Sequence, residues 1–286
     1  MRKSTLATIC ATLILFAGAS AALAEAPGRR TDELMHKSGL WKQVGQYHDL
    51  MKSGAVDARA RDKAAGKSDP GDASFARLLA AIDQAFAPER MRQTVGREIT
   101  DHLSATDESQ VFAWYSTDLA ARFTRVEEKS GEAAQQKRID QGAERYWRRV
   151  GPERRKMCER LAVATDAGEA NATLLIDISA AVMYGLALAE RNGDEGAVTE
   201  LRRKMESQRA QLVESMSKQS MWTYAFIYQD FNDDDLESYV RFIETPAARH
   251  LGKLVTKGTT EAFRQGGVEL GRYLGRESGT KPDRRS

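Results

Sequence analysis

Residues 230–249 read DFNDDDLESYVRFIETPAAR, and the organisation of the chain follows from this stretch. It opens on Asp and Asn, side chains that cap helix N-termini and complement the positive end of the dipole. Tyr239 and Phe242 follow at helical spacing. Thr245-Pro246 then places a capping residue before a Pro, which should end one helix and start another. A fainter copy lies upstream as Phe112, Tyr115 and Ala120-Ala121-Arg122, where 239 − 112 and 249 − 122 are both 127. The same offset sets Asp107-Glu108 opposite Asp234-Asp235, and Ser104 stands where it can cap the first copy. Ser116-Thr117-Asp118 takes the place of Thr-Pro without a Pro, so a helix break is expected in both copies, sharp at Thr245 and weaker near Thr117. The reading is an all-α chain of two related helical halves with no sheet.

The rest of the chain is helical in character. Thr31–Lys52 reads as a helical hairpin or kinked helix interrupted at Gly39, with Leu40, Val44, Tyr47 and Met51 in register and Ser53-Gly54 as a stop. Residues 55–72 are polar, carry Gly66 and Asp69-Pro70-Gly71, and read as a linker. Phe75, Leu78, Leu79, Ile82 and Phe86 make an amphipathic helix. Pro88 restarts the chain, and Met91, Val95, Ile99 and a partly buried His102 continue the stripe. In the first copy the buried side is expected at Val111, Phe112, Tyr115, Leu119 and Val126. Leu174–Leu188 is apolar nearly all round and should be a central buried helix. One long helix should lead from Leu201 into the aromatic run Met221–Tyr228. In the second copy Gly266-Gly267 signals close helix packing or a break. The resulting division is 1–24 signal peptide, 25–150 N-terminal half with the linker at about 55–72, 151–275 C-terminal half, and 276–286 disordered tail.

The first residues set the expected compartment. Arg2 and Lys3 precede the apolar stretch Leu6–Phe16, and Ala22-Leu23-Ala24 has the A-x-A form of a cleavage site, so export to the periplasm with cleavage after Ala24 is expected. The whole chain carries 43 Lys+Arg and 41 Asp+Glu; removing Arg2 and Lys3 leaves 41 of each. A chain of zero formal charge lacks the basic field of a nucleic-acid binder. Only Cys158 survives cleavage, so no intrachain disulfide forms, and its setting beside Met157 and Leu161 reads as core although Arg154, Arg155 and Arg160 lie close in sequence.

Candidate chemistry is sparse. His36 and His48 are too far apart to share a helical turn, which argues against a metal. Asp230, Asn232 and Asp234 alternate as calcium ligands do, but Asp235 stands at the turn-glycine place and Arg241 at the bidentate-glutamate place. Capping accounts for them. No metal, cofactor or catalytic motif is implied. Asp177 and Tyr184 share a helix face and are the candidates for acid–base work in a site between helices. Candidate binding residues are Arg122 and Arg249, matched after an Ala-Ala pair in both copies, the aromatics Trp222, Tyr239 and Phe242, and Arg145, Trp147 and Arg148 in the basic–aromatic run 145–156.

The pattern Leu236-x-x-Tyr239-x-x-Phe242-x-x-Thr245-Pro246-x-x-Arg249 resembles the exported all-helical bacterial family catalogued as domain of unknown function 2059. The resemblance covers residues 230–275, with a weaker stretch near 104–128. It implies export and a helical fold, and no activity. Three functions stay in competition: a non-enzymatic module binding an envelope protein or small ligand, an envelope hydrolase or small-molecule site at Asp177 and Tyr184, and membrane-surface association through Arg145–Lys156. No transmembrane span is expected after cleavage.

Overall fold

The computed structural model describes residues 27–67, 69, 71–189 and 195–278. The expected signal peptide lies outside them, and so does Asn192-Gly193, which reads in the sequence as a helix end. Every regular element among the described residues is a helix. The first half contains α1 (Pro27–Lys37), α2 (Leu40–Ala64), α3 (Asp72–Ala85), α4 (Pro88–His102), α5 (Ala105–Tyr115), α6 (Asp118–Ser130) and α7 (Ala133–Trp147). The second contains α8 (Pro152–Ala164), α9 (Ala167–Ala189), α10 (Glu195–Ser207), α11 (Arg209–Ile227), α12 (Asp233–Ile243) and α13 (Pro246–Ser278). No described helix is long and apolar enough to cross a membrane.

Both expected helix breaks are present, and they are built alike. Ser104 caps α5 by accepting from the Asp107 amide, and Asn232 caps α12 by accepting from the Asp235 amide. The Thr117 hydroxyl donates to the Trp114 carbonyl and accepts from the Ala120 amide; Thr245 does the same with Phe242 and Ala248. The break at Thr117 is therefore as well defined as the one at Thr245, because the threonine, not the proline, makes it. These caps lie 128 apart (232 − 104 and 245 − 117), one residue more than the offset of the aromatic pattern. In that register Arg122 stands opposite His250 rather than Arg249, and Trp114 opposite Phe242.

The correspondence continues along the chain. A left-handed residue separates α1 from α2 and α8 from α9, namely Gly39 (φ 73°) and Asp166 (φ 50°). Within each half the first helix packs on the second and fourth, and the second on the third and fourth. The halves differ at the end: α6 and α7 are separate, whereas α13 runs unbroken through Ser278. The tail expected from residue 276 is helical to that point, and Gly266-Gly267 marks close packing, not a break. A Cβ on Gly267 would strike the backbone of Ala181, and one on Gly185 the backbone of Gly267, so α9 and α13 cross with their main chains in contact.

The last helix of each half lies on the fourth helix of the other, α7 on α11 and α13 on α4. The core is shared as a result, and α13 packs on α3, α4, α5 and α9 together.

Other expectations need correction. Ser53-Gly54 does not stop α2, and residues 55–64 are helix rather than linker. The run is rich in Ala and Arg, strong helix formers, and Arg59 holds it down by donating to Asp69 and Asp72 and lying 4.5 Å over the Phe75 ring. The helix expected from Leu201 to Tyr228 is divided at Gln208. His102 is exposed, bonded to the Glu98 carbonyl and beside its carboxylate.

Candidate functional site

The corner between α11 and α12 closes over α6, and a carboxyl group lies sealed beneath it. Phe123, Glu127 and Ser130 share the buried face of α6. Phe123 stacks between Phe231 and Tyr239, with ring centroids 3.9 and 4.1 Å away, and meets Tyr228 edge-on at 5.2 Å. The Tyr228 and Tyr239 hydroxyls both donate to Glu127 Oε1, at 2.9 and 3.0 Å. Glu127 Oε2 is buried without a hydrogen-bond partner among the described residues. Tyr115 and Tyr224 complete the polar surroundings, the latter hydrogen-bonded to Thr165 at 3.1 Å.

Burial dominates the electrostatics here. It pushes the Glu127 carboxyl up to about 8, against the two tyrosine bonds that favour its charged form. The Tyr115, Tyr228 and Tyr239 phenols lie well above their ordinary range, first through burial and then through the Glu127 charge. The group therefore holds a proton at neutral pH, with phenols that cannot ionise near neutrality around it. Sequence reasoning missed it. The available signal was an acid four residues after Phe123, on a face that places Leu119 and Val126 only half-buried.

Most candidates found in the sequence are committed to the structure. Tyr239 and Phe242 are core residues, and Trp222 packs half-buried against the core. Trp114 stacks on Phe242 with centroids 5.0 Å apart and planes 4° from parallel, so two residues in matching places face each other. Around this contact a basic side chain meets a carboxylate twice: Arg122 of α6 pairs with Asp235 of α12 at 2.9 Å, and His250 Nδ1 of α13 hydrogen-bonds Asp107 of α5 at 2.9 Å. In the 128 register these are one pair in two copies, the reciprocal pattern of a two-fold-like contact. Arg122 also lies 4.9 Å over the Phe231 ring. Arg249 is exposed and makes no ion pair among the described residues.

The basic–aromatic run is tied down locally except at Arg149, which is exposed and forms no ion pair among the described residues. Arg145 bonds the Gln141 carbonyl, Arg148 the Glu144 carboxylate, and Lys156 that of Glu153. Arg155 lies over the half-buried Trp147 ring, and Arg154 joins Asp233 to the Tyr228 carbonyl at the end of α11. Asp177 accepts from Arg202 at 2.6 Å. Cys158 is buried, and burial raises its thiol to about 12. The acidic cluster caps α12 through Asn232, and among the described residues no group of His, Cys, Asp and Glu is placed to hold a metal.

Several exposed cations form no ion pair among the described residues, some of them in register on the outside of the repeats. Arg125 and Lys129 of α6, and Arg249 and Lys253 of α13, are exposed and form no ion pair among the described residues. Arg125 and Lys253 are 128 apart, as are Lys129 and Lys257, the last of which binds Glu98. Comparisons with protein-family models, curated proteins and solved structures gave no match to this chain.

Proposed function

We propose that this chain is an exported, non-catalytic helical module that binds an acidic partner in the envelope through the outward basic positions of its repeats. The observation that carries the reading is the contrast between the cations. Arg122, Arg154, Arg155 and Arg160 are spent on internal carboxylates or carbonyls, while Arg125, Lys129 and Lys253 face outward without an ion pair among the described residues and Arg249, also exposed, acts on Glu244 only at longer range. Exposed cations held in register on two rigid helices suit a carboxylate-rich surface more than a nucleic acid, because the mature chain as a whole is balanced in charge. The ion pair of Asp177 with Arg202 counts against a hydrolytic site at that carboxylate. The resemblance of residues 230–275 to the family of domain of unknown function 2059 agrees with export. The membrane-surface reading through Arg145–Lys156 is weakened by the local partners that Arg145, Arg148 and Lys156 already have.

The test is affinity capture from an envelope extract with the mature chain and with a variant carrying Arg249→Glu and Lys253→Glu. A retained protein that is lost with the variant, and lost from the wild type as salt rises, supports the reading. Capture of nothing at low and moderate salt, or capture that the charge reversal leaves untouched, overturns it.

A further inference from the structure

Glu127 belongs to the first half, and both hydroxyls that bind it belong to the second. It is fully buried, its Oε2 has no hydrogen-bond partner among the described residues, and the tyrosines that bind it are packed with Phe123 and Phe231 in one aromatic cluster. A carboxylate in such a place is unstable unless water reaches it or a cation pairs with it. We propose that Glu127 is a proton-operated latch: with its proton on, it holds the α11–α12 corner closed over α6, and loss of the proton releases that corner.

Among the described residues no cation pairs with Glu127. From α5 the facing titratable group is Tyr115; from α11 they are Tyr224 and Tyr228; from α12 it is Tyr239. On α8, Cys158 acts on Tyr224, and Arg154 is turned to the Tyr228 carbonyl and Asp233. On α6 itself Glu128 adds repulsion, and its own neighbours are Lys42, Glu132 and His36, on the side toward α1 and α2. The groups that act on the Glu127 carboxyl most strongly, Tyr228, Tyr239 and Glu128, are thus neutral or anionic.

The corner is the element whose seat on α6 depends on the Glu127 contacts. α12 packs on α8 and α13 and lays Tyr239 and Phe242 on the rings of α6 and α5, and ion pairs hold its outer side: Arg122 with Asp235, Arg154 with Asp233, and Arg160 with Glu237 and Glu244. Those Arg160 pairs hold the Glu237 and Glu244 carboxyls below their ordinary range, so these two stay ionised where Glu127 titrates and do not act as the switch. The sealed aromatics Tyr228, Phe231 and Tyr239 would become accessible on release. The coupling requires that opening and ionisation drive one another, since the carboxyl ionises readily only when the corner is open.

The test is amide hydrogen exchange of residues 224–243 in the mature chain from pH 5 to 9, corrected for the intrinsic pH dependence of exchange, beside Glu127→Gln. Wild-type protection should fall by up to about tenfold per pH unit through the window in which only the open form ionises, then level off. Glu127→Gln keeps the acceptor for both tyrosines and has no proton to lose, so its protection should stay flat. His250→Gln, which removes the imidazole that bonds Asp107 at the two-fold-like contact and leaves Glu127 and its tyrosines in place, should keep the wild-type slope. Wild-type protection that is flat, or a slope that Glu127→Gln shares, overturns the proposal. Should Glu127→Gln fail to fold, the Glu127 carboxyl followed by carbon NMR in the wild type decides: ionisation at an ordinary glutamate pH with α12 still protected overturns it, and ionisation in step with lost protection supports it.

Discussion

A carboxyl group fully buried beside an aromatic cluster tolerates its position by keeping its proton, and this sets the pH dependence of the whole chain. The Glu127 carboxyl lies at about 8 in the fold against 4.5 for an ordinary glutamate. Between those values the folded state holds a proton that the unfolded state has lost, so stability is fully present below about pH 4.5 and declines as pH rises toward about 8. At about 1.4 kcal/mol per unit, the loss amounts to a few kcal/mol. Asp83, Asp107, Glu237 and Glu244 are held low by their hydrogen-bonded partners and act in the opposite sense, removing stability only as pH falls through the acid range. Thermal unfolding should therefore show a maximum near pH 5 and a lower midpoint at pH 8, with the alkaline decline absent from Glu127→Gln; an unchanged decline in that variant would refute the assignment. Cys158 makes a second prediction: its buried, raised thiol should resist a thiol reagent at pH 8 until the chain unfolds, and labelling of the native protein at the rate of a free thiol would contradict this. The sequence made Cys158 legible because its apolar neighbours are adjacent. It hid Glu127, whose justification lies in tyrosines about a hundred residues downstream.

Helix boundaries were legible wherever a side chain acts on its own backbone. Ser104, Thr117, Asn232 and Thr245 all cap as their residue types predict, because the interaction spans three residues and needs nothing from the fold. Removing either threonine hydroxyl by Thr117→Ala or Thr245→Ala should cost about 0.5–2 kcal/mol, read from urea unfolding, whereas Pro246→Ala should cost less because the amide it lacks is an orphan at that position anyway. A much larger effect for Pro246→Ala would show that the proline makes the break. Where helices continue, the glycine signals misled. Ser53-Gly54 lies in open space within α2 and Gly267 lies against the backbone of α9, yet both look like breakers in sequence. The two should respond oppositely to one methyl group. Gly54→Ala should stabilise by about 0.5–1 kcal/mol through helix propensity. Gly267→Ala should cost about 3 kcal/mol through overpacking at a contact with no side chain to yield. Equal responses would mean that α9 and α13 are not in main-chain contact.

At the scale of the whole molecule, the repeat was visible as an offset, but its meaning was not. The aromatic pattern aligns at 127 and the caps at 128, so the sequence paired Arg122 with Arg249, while the structure gives Arg122 and His250 the same task. One residue is about 100° on a helix, enough to move a side chain from an interface to the surface. The sequence is silent on which half each closing helix joins, because local periodicity fixes the apolar face of a helix and not its neighbour. The exchange of α7 and α13 between halves carries a consequence for folding. Residues 25–150 alone would leave α4 without α13 and α7 without α11, and residues 151–286 alone would leave α11 and α13 similarly exposed. Each fragment should then be partly structured and prone to associate through uncovered apolar faces. Mixed together, the two should recover the helicity and the thermal transition of the whole chain, because the cut at Val150-Gly151 falls between α7 and α8 and severs no helix. Circular dichroism of each fragment and of the equimolar mixture reads this directly. A first fragment that melts cooperatively by itself, with no gain on mixing, would show that the halves are independent domains and that the crossed packing adds nothing to either.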